Sequence, residues 1–141
     1  MIKNLILHFN LVNKHRFKVF KLCCKAGIPF RGLVHDLSKY SITEFFESAK
    51  YYNGGFSPIS TCKKENGYSK AWLHHKGRNK HHHEYWYDYN TEQKTPIMPY
   101  KYAVEMICDN LAVFNDISFS FINNLIFFII LITHMFFIYF F

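Results

Sequence analysis

The sequence predicts an all-α protein, a single helical bundle of about five helices followed by a hydrophobic C-terminal tail helix. Three observations support this prediction. The chain has 141 residues, enough for one domain and too few for a kinase, a TIM barrel or a two-domain dehydrogenase. Half of its residues are hydrophobic, which supplies a core and excludes a largely disordered chain. Apolar residues recur at helical steps of three and four, and no stretch shows the two-residue alternation of a strand.

Charge divides the chain into two parts. All Lys and Arg residues lie at or before Lys101, and no charged residue follows Asp116, whereas half of the phenylalanines lie in residues 117–141. We therefore predict a helical domain over residues 1–116 and a hydrophobic tail over 117–141.

Two interpretations of this tail stay open. Its length reaches the ~20 residues that span a bilayer, so it is a candidate transmembrane anchor that would hold a cytoplasmic domain at a membrane. The absence of flanking Lys or Arg and the presence of His134 in the span weigh against an anchor. The alternative is an aberrant C-terminus left by a frameshift.

The first predicted helices come from periodicity and helix-stop signals. A helix over residues 3–26 is expected to end at Gly27, and a short helix over 31–39 follows Pro29. The inward stripe of the first helix consists of Leu5, His8, Val12, His15, Val19 and Leu22.

The later helices are predicted from capping residues. Ser41 and Glu44 form a capping box that begins a helix to about residue 52, and residues 53–68 are expected to form a loop. Ser69 is predicted to cap a helix over 71–88, in which Gly77 is a weak point. Pro99 begins a last helix over 100–115, with Tyr102, Met106, Asp109 and Val113 facing inward.

Charge and cysteine content limit the partners. The net charge of +7 favours anionic partners, which include phosphate esters, nucleic acid and acidic lipid. The four cysteines show no CxxC spacing, which indicates a reducing compartment.

Histidine and aspartate residues carry the sharpest chemical signal. His35 and Asp36 are adjacent, and Lys39 follows one turn later. Nitrogen and carboxylate ligands together suit Mn, Fe, Co, Ni or Zn. Two ligands do not hold a catalytic ion, and the inward positions of His15 and Asp109 make them the candidates that complete a first metal site.

The ordered set His15, His35-Asp36 and Asp109 resembles the HD domain superfamily of metal-dependent phosphohydrolases. The strings RGLVHDLSKYSITEF, AWLHHKGRNKHHHEYW and MPYKYAVEMICDNLA also resemble a related family of short, functionally uncharacterised bacterial and viral proteins. The resemblance covers about residues 5–115. It implies that these four residues bind one metal ion and that a metal-activated water hydrolyses a phosphate ester. In this interpretation Asp36 also orients the water and Lys39 neutralises a phosphate oxygen.

Two-metal members of the superfamily add two histidines between the HD pair and the final aspartate. Helical spacing favours His75 and His82 here, although His74, His81 and His83 remain alternatives and a single ion remains open. Arg78 and Lys80 are candidates to bind the rest of the substrate anion, and Glu84 is a candidate partner for a ligand histidine. The expected substrate is a phosphorylated small molecule or nucleotide.

Functions of other classes remain open. Aromatic and basic residues interleave in HHKGRNKHHHEYWYDY, as in surfaces that bind single-stranded nucleic acid. A non-catalytic module of HD-like fold is a second alternative, and a di-iron enzyme that handles oxygen or peroxide is a third. The sequence leaves open the substrate, the metal and the oligomeric state.

Overall fold

The computed structural model describes residues 2–54 and 57–114, so the predicted tail lies outside the described residues. Among these residues there are six α-helices and no strand, which confirms the all-α prediction and adds one helix to the expected number. The helices are α1 (Ile2–Lys25), α2 (Pro29–Val34), α3 (Ile42–Lys50), α4 (Pro58–Asn66), α5 (Lys70–Lys76) and α6 (Tyr100–Phe114), with short 3-10 helices at Leu37–Tyr40 and His83–Trp86. None of the described helices combines the length and the apolar content needed to cross a bilayer.

The core lies between α1 and α6. Its buried side chains are Val19, Cys23, Val104, Cys108 and Ala112. Of the residues predicted to face inward from α6, Val113 is exposed, whereas Tyr102, Met106 and Asp109 are half-buried beside the fully buried face of Val104, Cys108 and Ala112. The reason is that small side chains, rather than the larger apolar ones, fill the space where α6 meets α1.

Helix α2 packs against α1 at a position that requires glycine. A Cβ atom on Gly32 would lie 2.7 Å from the Cβ of Cys23 and 2.9 Å from the Cα of Phe20. The absence of a side chain thus allows the two backbones to approach, and this contact places the chain that follows α2 beside α1.

The helix predicted over residues 31–39 is wrong, because α2 ends at Val34. Asp36 takes a left-handed backbone conformation with a φ of 54°, and a 3-10 turn follows it. Arg16 accounts for the break: its guanidinium donates to the carbonyl oxygens of Leu33 (2.8 Å) and His35 (2.7 Å), which the ended helix leaves without helical partners. The His-Asp pair therefore sits on a bend and not on a helix.

The predicted caps are confirmed. The Ser41 hydroxyl accepts from the backbone N–H of Glu44, and the Ser69 hydroxyl accepts from that of Trp72. The Glu44 carboxylate does not return to its helix start as a capping box would require, because it contacts two histidines of α5.

Two segment predictions are wrong. The loop predicted over residues 53–68 contains α4, which begins with Pro58 at its first turn and ends at Asn66, followed by Gly67 in the left-handed conformation. The single helix predicted over 71–88 ends at Lys76, and Gly77 begins a run of turns. The directions of the histidine side chains after Gly77 are therefore not set by the period of an α-helix.

Candidate metal centre

Seven histidine and aspartate residues from five parts of the chain converge on one buried region. They are His15 on α1, His35 and Asp36 on the bend after α2, His75 on α5, His81 and His82 in the turns that follow, and Asp109 on α6.

The first group within this region contains the four residues predicted for one metal ion. The Nε2 atom of His15 lies 2.9 Å from Asp109 Oδ1, and the Nε2 atom of His35 lies 3.6 Å from the same oxygen. Asp36 Oδ2 lies 3.4 Å from His35 Nε2. Single ligand atoms of His15, His35 and Asp109 all lie within 4.8 Å of one another. The structure thus brings together residues separated by most of the domain.

The second group contains Asp36, His75, His81 and His82, whose ligand atoms also lie within 4.8 Å of one another. Asp36 Oδ1 is 3.4 Å from the Nε2 atoms of both His75 and His81. The sequence favoured His75 and His82 but not His81, because the choice assumed one continuous helix. The break at Gly77 lets two consecutive histidines face the same region.

The two aspartates connect the two groups. Asp36 directs Oδ2 toward His35 and Oδ1 toward His75 and His81. Asp109 directs Oδ1 toward His15 and His35, and Oδ2 lies 3.7 Å from His81 Nε2. The left-handed backbone of Asp36, a conformation that non-glycine residues adopt infrequently, turns its carboxylate into this central position.

Several of these atoms are buried without a hydrogen bond. Among the described residues, His35 Nε2, Asp36 Oδ1, His81 Nε2 and His82 Nε2 have no hydrogen-bond partner. An unsatisfied buried polar atom costs about 1–3 kcal/mol, so four in one place indicate a ligand. Imidazole nitrogens with carboxylate oxygens are the donors that Mn, Fe, Co, Ni and Zn bind, and the residues therefore fit a divalent transition metal.

Two glutamates contact ligand histidines at Nδ1, the ring nitrogen that faces away from the candidate metal positions. Glu105 is fully buried, and its Oε1 atom forms a 3.1 Å hydrogen bond with His35 Nδ1. The same oxygen lies 3.3 Å from His81 Nδ1, which has no hydrogen-bond partner among the described residues. Glu44 lies 2.7 Å from His75 Nδ1 and also contacts His74. Such contacts at Nδ1 leave Nε2 for a metal, as in known carboxylate–histidine–metal arrangements.

Sequence reasoning missed both of these glutamates. Glu105 lies one helical turn before Asp109 on α6, a spacing that could have indicated it. Glu44 was interpreted only as part of a capping box. The predicted partner, Glu84, instead lies 3.3 Å from His83, which is largely exposed.

Burial and charge shift the pKa values of these groups in consistent directions. Burial alone would raise the pKa of Asp36, but the charges of Lys39 and His35 outweigh it and hold that pKa well below its usual range. Burial would likewise lower the pKa of His35, but Asp36, Asp109 and Glu105 raise it to about 9. Burial lowers the pKa of His82 to about 3. A metal at His35 therefore has to displace a proton.

The three predicted substrate-binding residues lie in different places. The Lys39 ammonium is 3.1 Å from Asp36 Oδ2 and partly exposed, so it borders the metal centre. Lys80 lies over the rings of Tyr85 and Tyr102, and Arg78 is exposed. Only Lys39 is brought into contact with a candidate metal ligand.

Comparison with known proteins gives one family. The model of the Family of unknown function (DUF5662) matches residues 5–125, which include every candidate metal ligand. No curated protein and no solved structure matches the chain.

Proposed function

The chain belongs to the family of unknown function DUF5662, and we propose that it is a metal-dependent hydrolase that acts on phosphate esters. The observation that carries this proposal is the set of buried histidine and aspartate atoms that point at one another without hydrogen bonds. The order of the ligands along the chain, which resembles that of the HD domain superfamily, supports the same reaction class.

The two groups would hold two metal ions. His15, His35, Asp36 and Asp109 would bind the first ion, and Asp36, His75, His81 and His82 would bind the second. A divalent ion bound there supplies Lewis acidity and lowers the pKa of a water that it binds toward neutrality. The shared carboxylate of Asp36 would set the spacing between the two positions.

The other residues of the centre position the ligands and bind the substrate. Glu105 and Glu44 orient the rings of His35 and His75 through hydrogen bonds at Nδ1, and Glu105 also lies close to His81 Nδ1. Lys39 stays charged beside Asp36, because that carboxylate raises its pKa against the effect of burial. A partly exposed ammonium at the border of the centre is suited to bind a phosphate oxygen and to stabilise the charge that develops during hydrolysis.

Elemental analysis of the full-length protein tests the metal centre. We expect one or two equivalents of Mn, Fe, Co, Ni or Zn in the wild type and almost none in Asp36→Ala, because this residue belongs to both groups. The matched control is His83→Ala, which removes a largely exposed histidine of the same tract and should leave the metal content unchanged. Equal metal loss in both variants would indicate that the histidine tract binds metal adventitiously.

Hydrolysis assays with a chromogenic phosphomonoester and a chromogenic phosphodiester test the reaction class. We expect turnover that depends on the bound metal and disappears in Asp36→Ala. Bound iron with consumption of oxygen or peroxide, and no hydrolysis of either ester, would contradict the proposal and favour the di-iron alternative.

A further inference from the structure

A second cluster of charged and aromatic side chains lies outside the ligand groups, around the ring of Tyr102 on α6. The Arg31 guanidinium lies 4.8 Å from the centre of this ring, Lys101 Nζ lies at 5.1 Å and Lys80 Nζ at 5.9 Å. Lys80 Nζ is also 5.6 Å from the ring centre of Tyr85. We refer to these five residues as the Tyr102 patch.

The Tyr102 patch carries excess positive charge. Arg31 is paired with Glu105, at 2.6 Å. Within the described parts of the chain, neither Lys80 nor Lys101 has a carboxylate partner, and both are exposed. Contact with the face of a ring stabilises a cation without neutralising it. Two lysines without a carboxylate partner and the paired Arg31 therefore surround one ring, and an anion bound among them would be attracted by the excess positive charge.

The aromatic residues of the patch are held in place but accessible. Trp86 donates its indole N–H to the backbone oxygen of Lys80 at 2.8 Å, and its ring lies 5.9 Å from that of Tyr102. This hydrogen bond holds the backbone of Lys80 beside Trp86. Tyr85 packs on Trp86 and retains 37% exposure, so it offers a surface on which a planar group can stack.

Glu105 separates the patch from the metal centre. Its Oε2 atom faces Arg31, and its Oε1 atom faces the Nδ1 atoms of His35 and His81. The Nε2 atoms of those histidines face Asp36 on the other side of the rings. A ligand of the Tyr102 patch would thus lie behind the ligand histidines and not among the candidate metal ligands.

We propose that the Tyr102 patch is a separate binding site for an anion that carries a planar aromatic ring, the class to which nucleoside monophosphates belong. The phosphate would lie between Lys80, Lys101 and Arg31, and the ring would stack on Tyr85. This proposal does not depend on the reaction of the metal centre.

Binding of adenosine 5′-monophosphate to the full-length protein tests the site. The titration is made calorimetrically in the presence of EDTA, so that phosphate binding to a metal contributes nothing. We expect Lys80→Met and Lys101→Met each to weaken binding by about tenfold or more, the usual effect of losing a charge-assisted contact. Lys64→Met is the matched control, because it removes the same charge from an exposed position on α4 and should change the dissociation constant little.

Three further ligands and variants distinguish this site from a metal-bound phosphate and from a surface that attracts any polyanion. Adenosine, which lacks the phosphate, and inorganic phosphate, which lacks the aromatic ring, should each bind more weakly than the nucleotide. Tyr85→Leu should weaken the binding of the nucleotide but not that of inorganic phosphate. Binding that appears only after metal is restored, or that Lys64→Met weakens equally, would overturn the proposal. Binding of a single-stranded oligonucleotide without any binding of the nucleotide would also overturn it.

Discussion

Replacement of Glu105 by glutamine is expected to weaken the binding of both metal ions while the fold persists. One carboxylate oxygen of Glu105 is hydrogen-bonded to His35 Nδ1 at 3.1 Å and lies 3.3 Å from His81 Nδ1, so a single side chain contacts one histidine of each group. The amide of glutamine has nearly the same shape but carries no charge, and it presents one oxygen where the carboxylate presents two. It cannot accept from both Arg31 and His35 while it keeps a negative charge beside His81, as the carboxylate does.

The magnitude follows from these contacts. Loss of one carboxylate that orients a ligand histidine costs about 10–100-fold in metal affinity. Because Glu105 contacts one histidine in each group, we expect a loss of about this size for each of the two ions. Glu44 contacts His75 and His74, of which only His75 belongs to a ligand group. Glu44→Gln should therefore weaken the second ion by a similar factor and leave the first unchanged.

Competition titrations with a fluorescent chelator measure both affinities in the two variants and the wild type. Circular dichroism and a urea unfolding curve for each metal-free protein show whether the fold persists. If Glu105→Gln and Glu44→Gln lost the same metal affinity, and each for a single bound ion, the two groups would form one site. Wild-type metal affinity in Glu105→Gln would refute the assignment of this residue as a support of the ligands.

Three other changes have expected outcomes. Burial, with a smaller effect of Lys39, lowers the pKa of His8 from 6.5 to about 4. Between these two pH values the unfolded chain binds a proton at His8 and the native state does not. The free energy of unfolding should therefore fall by roughly 3 kcal/mol as the pH drops from 6.5 to 4. Urea titrations across that window in EDTA should show a smaller fall for His8→Leu, and an identical fall in both proteins would contradict the buried neutral histidine. Gly32→Ala places a Cβ 2.7 Å from that of Cys23 and should cost about 1–3 kcal/mol in the same assay, whereas unchanged stability would show that α2 can move away. Lys39→Met should keep its metal by elemental analysis and lose about a hundredfold or more in kcat, and a loss of metal instead would assign Lys39 a structural role.

The sequence by itself was sufficient for features that depend on neighbouring residues. The helical period of the first helix, the caps at Ser41 and Ser69 and the start of α6 after Pro99 are all present in the structure. These features are local because a cap satisfies backbone groups within one turn. The helix α4 was missed even though its signals, Pro58 and Gly67, are equally local, so that error was one of interpretation.

The first group of candidate ligands was also predictable from the sequence. His35 and Asp36 are candidate ligands because they are adjacent. His15 and Asp109 are candidates because they lie on largely apolar faces of long helices. An ionisable side chain on such a face needs a buried partner, and the partners of these residues are one another. The pattern indicated the residues, although it did not indicate the bend that carries two of them.

Only the tertiary structure decided the second group and its supports. The bend at Asp36 depends on Arg16 of α1, which binds carbonyl oxygens 17 and 19 residues away along the chain. The inclusion of His81 depends on the end of α5 at Gly77, and the roles of Glu44 and Glu105 depend on which rings they meet across the bundle. The sequence does not distinguish a buried glutamate that caps a helix from one that forms an ion pair or orients a ligand histidine. Its role is set by the groups that the fold brings within about 3 Å of its carboxylate.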